Sequence, residues 1–233
     1  MKKNKAQLWD MVQYIFRNYY DRMMHAILWF DGVVDSAAVR ASIGHIVDRV
    51  EVLRSTFRAG FFRPKWVVND LDEVGQLVQV VDTDDVEKAA FECISQSFSY
   101  KEKLQIRVFI VQDDTKNAIA FLVNHMCFDG GDFGYFLGKF VECYNNYLRT
   151  GSCEDVEIKT GSRDADQLYQ GTVDPQKIKL DGLEMTDAFM TGATKYKPYV
   201  QVTFNGFAGE GRLCIAQKCS QKDQKSYRIF LTI

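Results

Sequence analysis

The stretch from Leu104 to Leu148 limits what this chain can fold into more than any other. Two runs rich in β-branched and aromatic residues, "LQIRVFIVQ" and "NAIAFLVNH", flank the polar turn Asp113 to Asn117, which is the pattern of a β-hairpin. The second run delivers His125. Beyond it, Phe133, Phe136, Leu137, Phe140, Val141, Tyr144 and Leu148 recur at the spacing of one helical face, with Asp132 as the expected cap. A hairpin that runs directly into a long amphipathic helix needs a sheet with helices packed on it. The expected class is therefore α/β (α+β), with a mixed sheet.

The flanking segments fit that class. Leu8, Met11, Val12, Ile15, Phe16 and Tyr19 predict a first helix, and "MMHAILWF" before Asp31-Gly32 predicts a strand. Asp35 or Ser36 is placed to cap a second helix with the apolar stripe Val39, Ile43, Ile46, Val47, Val50 and Leu53. "STFRAGFFRPKWVVND" predicts two strands joined around Arg63-Pro64, "QLVQVVD" another strand, and "DDVEKAAFECISQSF" a third helix opened by Asp84 or Asp85. After Thr150 the chain becomes polar and Gly-punctuated, with strands expected only in "KYKPYVQVTFNGF" and "SYRIFLTI"; "GFAGEG", Gly206 to Gly211, is expected to be a loop. Residues 1–150 form one expected lobe, and 151–233 an extension or partial second lobe.

Composition excludes several functions. The formal net charge is -2 and no Lys or Arg run is dense enough for a nucleic-acid or lipid footprint. No apolar segment reaches membrane length, and the residues after Lys5 are interrupted by Gln7, Asp10, Gln13 and Arg17, unlike a signal peptide. Six cysteines occur with no CxxC pair, which predicts reduced thiols in a cytoplasmic protein and no zinc site.

Chemistry concentrates in His125-Met-Cys-Phe-Asp129-Gly130-Gly131. An imidazole fixed at the end of a buried strand can act as a general base on a hydroxyl, amine or thiol near neutral pH. Asp129 can hold the loop, and Gly130 and Gly131 are read as relieving a turn where a side chain would clash. His125 is expected to face a solvent-reachable cleft. His25 and His45 have no acidic or cysteine partner at ligand spacing and are expected at the core edge or surface. Cys127 is expected to be a packing thiol.

The His-xxx-Asp-Gly pattern resembles the motif of the chloramphenicol-acetyltransferase-like superfamily, which includes nonribosomal-peptide condensation domains. "RVEVLRSTF", Arg49 to Phe57, resembles the condensation-domain segment Arg-His-Glu-x-Leu-Arg-Thr-x-Phe, and "QLWDMVQYIF" and "GVVDSAAVRASIGHIVDRV" resemble the family's opening helix and second helix. These matches occur in the family's order between Gln7 and Leu148. The resemblance implies a lobe of an acyltransferase that moves an acyl group from a CoA or carrier-protein phosphopantetheine thioester to a hydroxyl or amine. No bound cofactor is implied. His125 takes the role of the catalytic histidine, Asp129 a structural one paired with Arg54, with Arg49 and Asn124 in support and Gly130 closing the motif.

This sequence departs from the family where Asn124 replaces the first of two tandem histidines and Val50 the upstream histidine. No Asp-Phe-Gly-Trp segment occurs, and the residues after Leu148 are too few for a second full lobe. The alternative is a non-catalytic single-lobe remnant or interaction module. Either the chain self-associates as a homo-oligomer, with the polar stretch after Thr150 and the strand Tyr227 to Ile233 crossing to a neighbour, or it belongs to a longer parent protein that supplies the missing second lobe.

Overall fold

The structure, a computed structural model, describes residues 2–18, 23–60, 63–73, 75–160, 180–181, 183, 185–191, 200–207, 210–217 and 229–232. A short strand β1 (Lys3–Lys5) precedes helix α1 (Leu8–Ile15), strand β2 (Met23–Phe30) and helix α2 (Ser36–Arg49). A 3-10 turn (Glu51–Arg54) then leads to β3 (Ser55–Arg58), β4 (Lys65–Val68), β5 (Val78–Asp82) and α3 (Val86–Ile94). The hairpin β6 (Ile106–Gln112) and β7 (Asn117–Asn124) feeds α4 (Gly130–Thr150), and β8 (Met185–Thr191), β9 (Val200–Phe207), β10 (Glu210–Gln217) and β11 (Ile229–Thr232) follow.

The central sheet runs in the order β5-β6-β7-β2-β8, with β5 and β6 parallel and every other pair antiparallel. Period-two alternation divides its side chains between two layers. Ala26, Leu28, Ile106, Val108, Ile110, Ile119, Phe121 and Val123 share a core with α2 and α4, while Ile27, Phe109, Val111, Ala118 and Ala120 pack against α3. β7 is therefore buried along its whole length. A second sheet, β1-β4-β3, sets Phe57 and Trp66 into the larger core, and a third has the order β11-β10-β9.

Local chemistry fixes the helix ends. The Asp35 carboxylate accepts the amides of Ala37 and Ala38 at 2.8 and 2.9 Å, and Asp85 accepts that of Lys88 at 3.0 Å. α4 stops at Gly151, whose φ of 76° is left-handed backbone that glycine adopts without strain.

Several expectations change. The cap of α4 is Asp129, and Asp132 sits one turn inside, where the two residues form a reciprocal capping box. α2 ends at Arg49, so Val50 and Leu53 of the expected stripe lie past the helix, although Leu53 is still buried. α1 is shorter than Gln7 to Tyr20 and inverted: Asp10 and Gln13 are buried, and Leu8, Trp9, Ile15 and Phe16 are exposed. β1, β8 and β10 add strands that sequence reading misses. Gly206 and Gly211 are paired across β9 and β10 rather than placed in a loop. β11, expected to cross to a neighbour, pairs with β10 of its own chain and forms the end strand of the sheet β11-β10-β9. The central sheet takes its fifth strand from beyond residue 150. Lys195 to Tyr199 of one expected strand and 161–179 of the polar stretch lie outside the described residues.

Candidate active site

The site is built where β7 meets α4. Asn124 ends the strand fully buried, and a tight turn of residues 125–127 carries His125 to a partly exposed position. The turn is closed by the amide of Cys127 donating to the carbonyl of Asn124 at 2.8 Å. The Asn124 side-chain oxygen accepts the amide of Met126 at 3.1 Å, and its amide donates to Gln105 Oε1 at 2.7 Å. Met126, Cys127 and Phe128 point into the core, which anchors the turn from below.

His125 Nδ1 lies 2.7 Å from the carbonyl oxygen of Phe128. A carbonyl can only accept, so Nδ1 carries the hydrogen, and in the neutral ring Nε2 has the lone pair. The ring is thus fixed in one tautomer by backbone three residues away.

Asp129 completes the motif as a helix cap, its Oδ1 accepting the amide of Asp132 at 2.8 Å. The expected ion pair between Asp129 and Arg54 is not formed. Arg54 instead donates to the carbonyl of Asn69 at 2.6 Å and to the carbonyl of Asp48 at 3.3 Å, and sits 3.8 Å from the Asp48 carboxylate. Asp48 is only six residues away at the end of α2, so the guanidinium is used before it could reach α4. The Asp129 carboxylate is committed to its own helix in the same way. Gly130 is not needed for steric relief either: it lies in the first turn of α4, and a Cβ there would meet nothing within 4 Å.

Arg49 pairs with Glu154 at 2.7 Å and with Asp48 at 3.4 Å, joining the end of α2 to the segment after α4. That segment also overturns the expectation for His45, which is buried, donates from Nε2 to the carbonyl of Val156 at 2.9 Å and has Glu154 3.8 Å from Nδ1. A partner more than 100 positions along the chain is invisible to local spacing. Cys127 is buried, with its sulfur 3.7 Å from the carbonyl of Val52, as a packing thiol should be. On the inner face of α4, burial first and then the neighbouring Cys153 and Glu142 push the Cys143 thiol up to about 12, which makes it inert as a nucleophile. Among the described residues, no three His, Cys, Asp or Glu gather in a metal-binding group, and no helix is long and apolar enough to cross a membrane.

Sequence reasoning missed Gln105. It is fully buried and bonded to Asn124 through both backbone and side chain. A glutamine at the mouth of an apolar strand is the signal that it left.

No family model and no curated protein matches this sequence. Solved structures do. The first condensation domain of the calcium-dependent antibiotic synthetase, in complex with a substrate analogue, superposes with a TM-score of 0.58 at 18% identity, covering 70% of this chain and 42% of that one. The starter condensation domain of rhizomide synthetase RzmA gives 0.54 at 13% identity, covering 65% and 39%. The condensation domain from the monacolin K polyketide synthase MokA gives 0.52 at 12% identity, covering 62% and 34%. The fold is therefore that of condensation domains, the chloramphenicol-acetyltransferase-like fold expected from the motif. This chain spans about two fifths of the length of the structures it matches, from 34% to 44%.

Proposed function

We propose that this chain is an acyltransferase of the condensation-domain type. It transfers an acyl group from a thioester, on CoA or on the phosphopantetheine arm of a carrier protein, to a hydroxyl or amine. The observation that carries this reading is the His125 Nδ1–H bond to the Phe128 carbonyl, which leaves Nε2 as a base on a partly exposed turn. Nε2 takes the proton from the acceptor as its oxygen or nitrogen attacks the thioester carbonyl. The tetrahedral intermediate then collapses, the C–S bond breaks, and the thiolate recovers that proton from the imidazolium. The amides of Gly130 and Gly131, in the first turn of α4, are the backbone donors assigned to the oxyanion. Asp129 acts by holding that end in place, and Asn124, Arg49 and Arg54 brace the segments around it. A mutant of the rhizomide starter domain has been solved with C8-CoA, which supports CoA thioesters as the first donors to try.

The matched part of the chain covers only 34% to 44% of the structures with this fold, so the rest of the site is supplied by a second copy, by another polypeptide or by further sequence of a longer parent protein, in the cytoplasm. The test is thioester release over a panel of acyl-CoA and acyl-carrier donors. His125→Ala should lower the rate by about 10²- to 10⁴-fold, the usual contribution of a general base. Its melting temperature should shift little, since the residue is partly exposed and loses one hydrogen bond. Intact turnover in that variant would remove His125 from the chemistry.

Asn124, in place of the first of the tandem histidines of the family it resembles, favours one other reading, a non-catalytic single-lobe remnant or interaction module. A monomer that stays monomeric when concentrated and turns over no donor in the panel would establish it.

A further inference from the structure

Two fully buried amide side chains, Gln105 and Asn124, stand immediately behind His125. Both are neutral and donate and accept at once, so burial is tolerated only if each polar atom is matched. Here the matching is complete. Asn124 Nδ2 donates to Gln105 Oε1 at 2.7 Å, and the Gln105 carbonyl accepts the backbone amide of Asn124 at 3.0 Å. Gln105 Nε2 donates to the carbonyls of Glu102 and Tyr100 at 2.8 and 3.4 Å, and its own amide donates to the carbonyl of Leu53 at 2.7 Å. Asn124 passes the restraint on: its Oδ1 holds the amide of Met126, and its carbonyl holds that of Cys127, the two residues that follow His125.

The path therefore has four stations. It begins at the 3-10 turn through Leu53, joins the loop 100–102, crosses the Gln105 amide to Asn124, and ends in the turn carrying His125. We infer that Gln105 is a positioning residue for His125, acting through Asn124. It fixes the turn so that the Phe128 carbonyl stays within reach of Nδ1 and one imidazole tautomer is held. Asn124 cannot do this alone. Its side chain bridges Gln105 and Met126, so without the Gln105 acceptor it has a stranded amide donor and no reason to keep its rotamer. Where the family that this chain resembles has the first of two tandem histidines, this chain has Asn124, paired with Gln105 as two amides that do not titrate. The clamp is consequently the same across the whole pH range in which imidazole changes charge.

The inference rests on the acyl-transfer reading only for its consequence in rate; the geometry is tested without turnover. Imidazole ¹⁵N resonances of the full chain, with His125 assigned by its loss in His125→Ala, should show Nδ1 protonated and Nε2 unprotonated when the ring is neutral. In Gln105→Leu, of similar reach but without polar atoms, the same ring should become a mixture of tautomers. Rate should fall by about tenfold or more in kcat, with KM changed less, because orientation and not binding is lost. Gln105→Glu supplies the conservative rescue. Its carboxyl oxygen can still accept from Asn124, so at a pH where the ring is neutral the parent tautomer should be kept to a greater extent than in Gln105→Leu.

A folded Gln105→Leu protein with the parent tautomer overturns the inference. A shifted tautomer in a chain that turns over no donor upholds it while the catalytic reading fails. If Gln105→Leu does not fold, hydrogen exchange on the parent decides: the amides of Gln105, Asn124 and Met126 should open as one unit. Exchange of Met126 ten times or more faster than Gln105 refutes the coupling.

Discussion

Helices α1 and α4 are written in the same code and folded in opposite senses. Both repeat apolar residues at helical spacing. α4 turns its stripe inward, with Phe121 of β7 edge-on to Phe136 and Phe140 at 5.6 and 5.3 Å. α1 turns the ends of its stripe outward, leaving Leu8 78% and Ile15 57% exposed with only Met11 of the stripe packed against the core, while Asp10 is 1% exposed. The surface each helix meets explains the difference. β7 offers α4 only hydrocarbon, whereas the small sheet offers α1 an indole N–H. Trp66 Nε1 donates to Asp10 Oδ2 at 2.9 Å, and the same oxygen accepts the amide of Gln7 at 2.9 Å, capping the helix. Tyr14 follows on that face, 5.4 Å from Phe57 and 5.2 Å from Tyr100. Periodicity announces a helix, but a polar group already in the core can decide which side goes in.

The sharpest way to break this contrast is to empty each interface in turn. Phe140→Ala removes a ring wholly enclosed between α4 and the sheet and should cost about 3–5 kcal/mol in a denaturant titration. Asp10→Ala should cost less, about 1–3 kcal/mol, the penalty of leaving the Trp66 indole N–H buried without its acceptor. Asp10→Asn, which keeps an acceptor oxygen, should recover part of it. If Asp10→Ala costs nothing, α1 is not seated through its polar face and the comparison fails.

The same reasoning lowers the value placed on Asp129. Loss of one member of a buried ion pair costs about 3–5 kcal/mol, the effect that an Arg54 partner would imply. As a helix cap bonded to the amide of Asp132, Asp129 should contribute about 1 kcal/mol, so Asp129→Ala should unfold only slightly more readily than the parent. A loss near 4 kcal/mol would restore the ion pair.

These cases mark what the sequence makes legible. The hairpin, α4 and the caps Asp35 and Asp85 depend on residues within one or two turns of each other, and all are readable locally. β1 is three polar residues whose strand character comes only from pairing with β4, and β8, "MTDAFMT", is a strand because β2 lies beside it. Asp10 finds Trp66 56 positions away, and His45 finds Val156 111 positions away. In the site, His125 could be singled out because a histidine between a strand and two glycines is chemically conspicuous. Gln105 could not, because its meaning lies in the partner that folding brings to it. Family likeness suggested a partner for Arg54 but not the competition from Asp48, which a local distance decides.

The smallest expected effect concerns the outer face of α1. Leu8 contributes little to folding if it is as exposed as the structure places it, so Leu8→Ser should change stability by no more than about 0.5 kcal/mol. Contiguous exposed apolar side chains are uncommon on monomers and usually mark a contact surface. Leu8, Trp9, Ile15 and Phe16 are the group to probe if the chain is completed by a second copy. Light scattering on the parent and on Leu8→Ser, over the same concentration range, separates the two roles of the residue. Weaker association at unchanged stability makes α1 a contact helix, the reverse of α4, whose stripe is used up inside its own chain. A loss of 2 kcal/mol or more in stability would instead mean that Leu8 is covered, and that the two helices differ less than their exposures indicate.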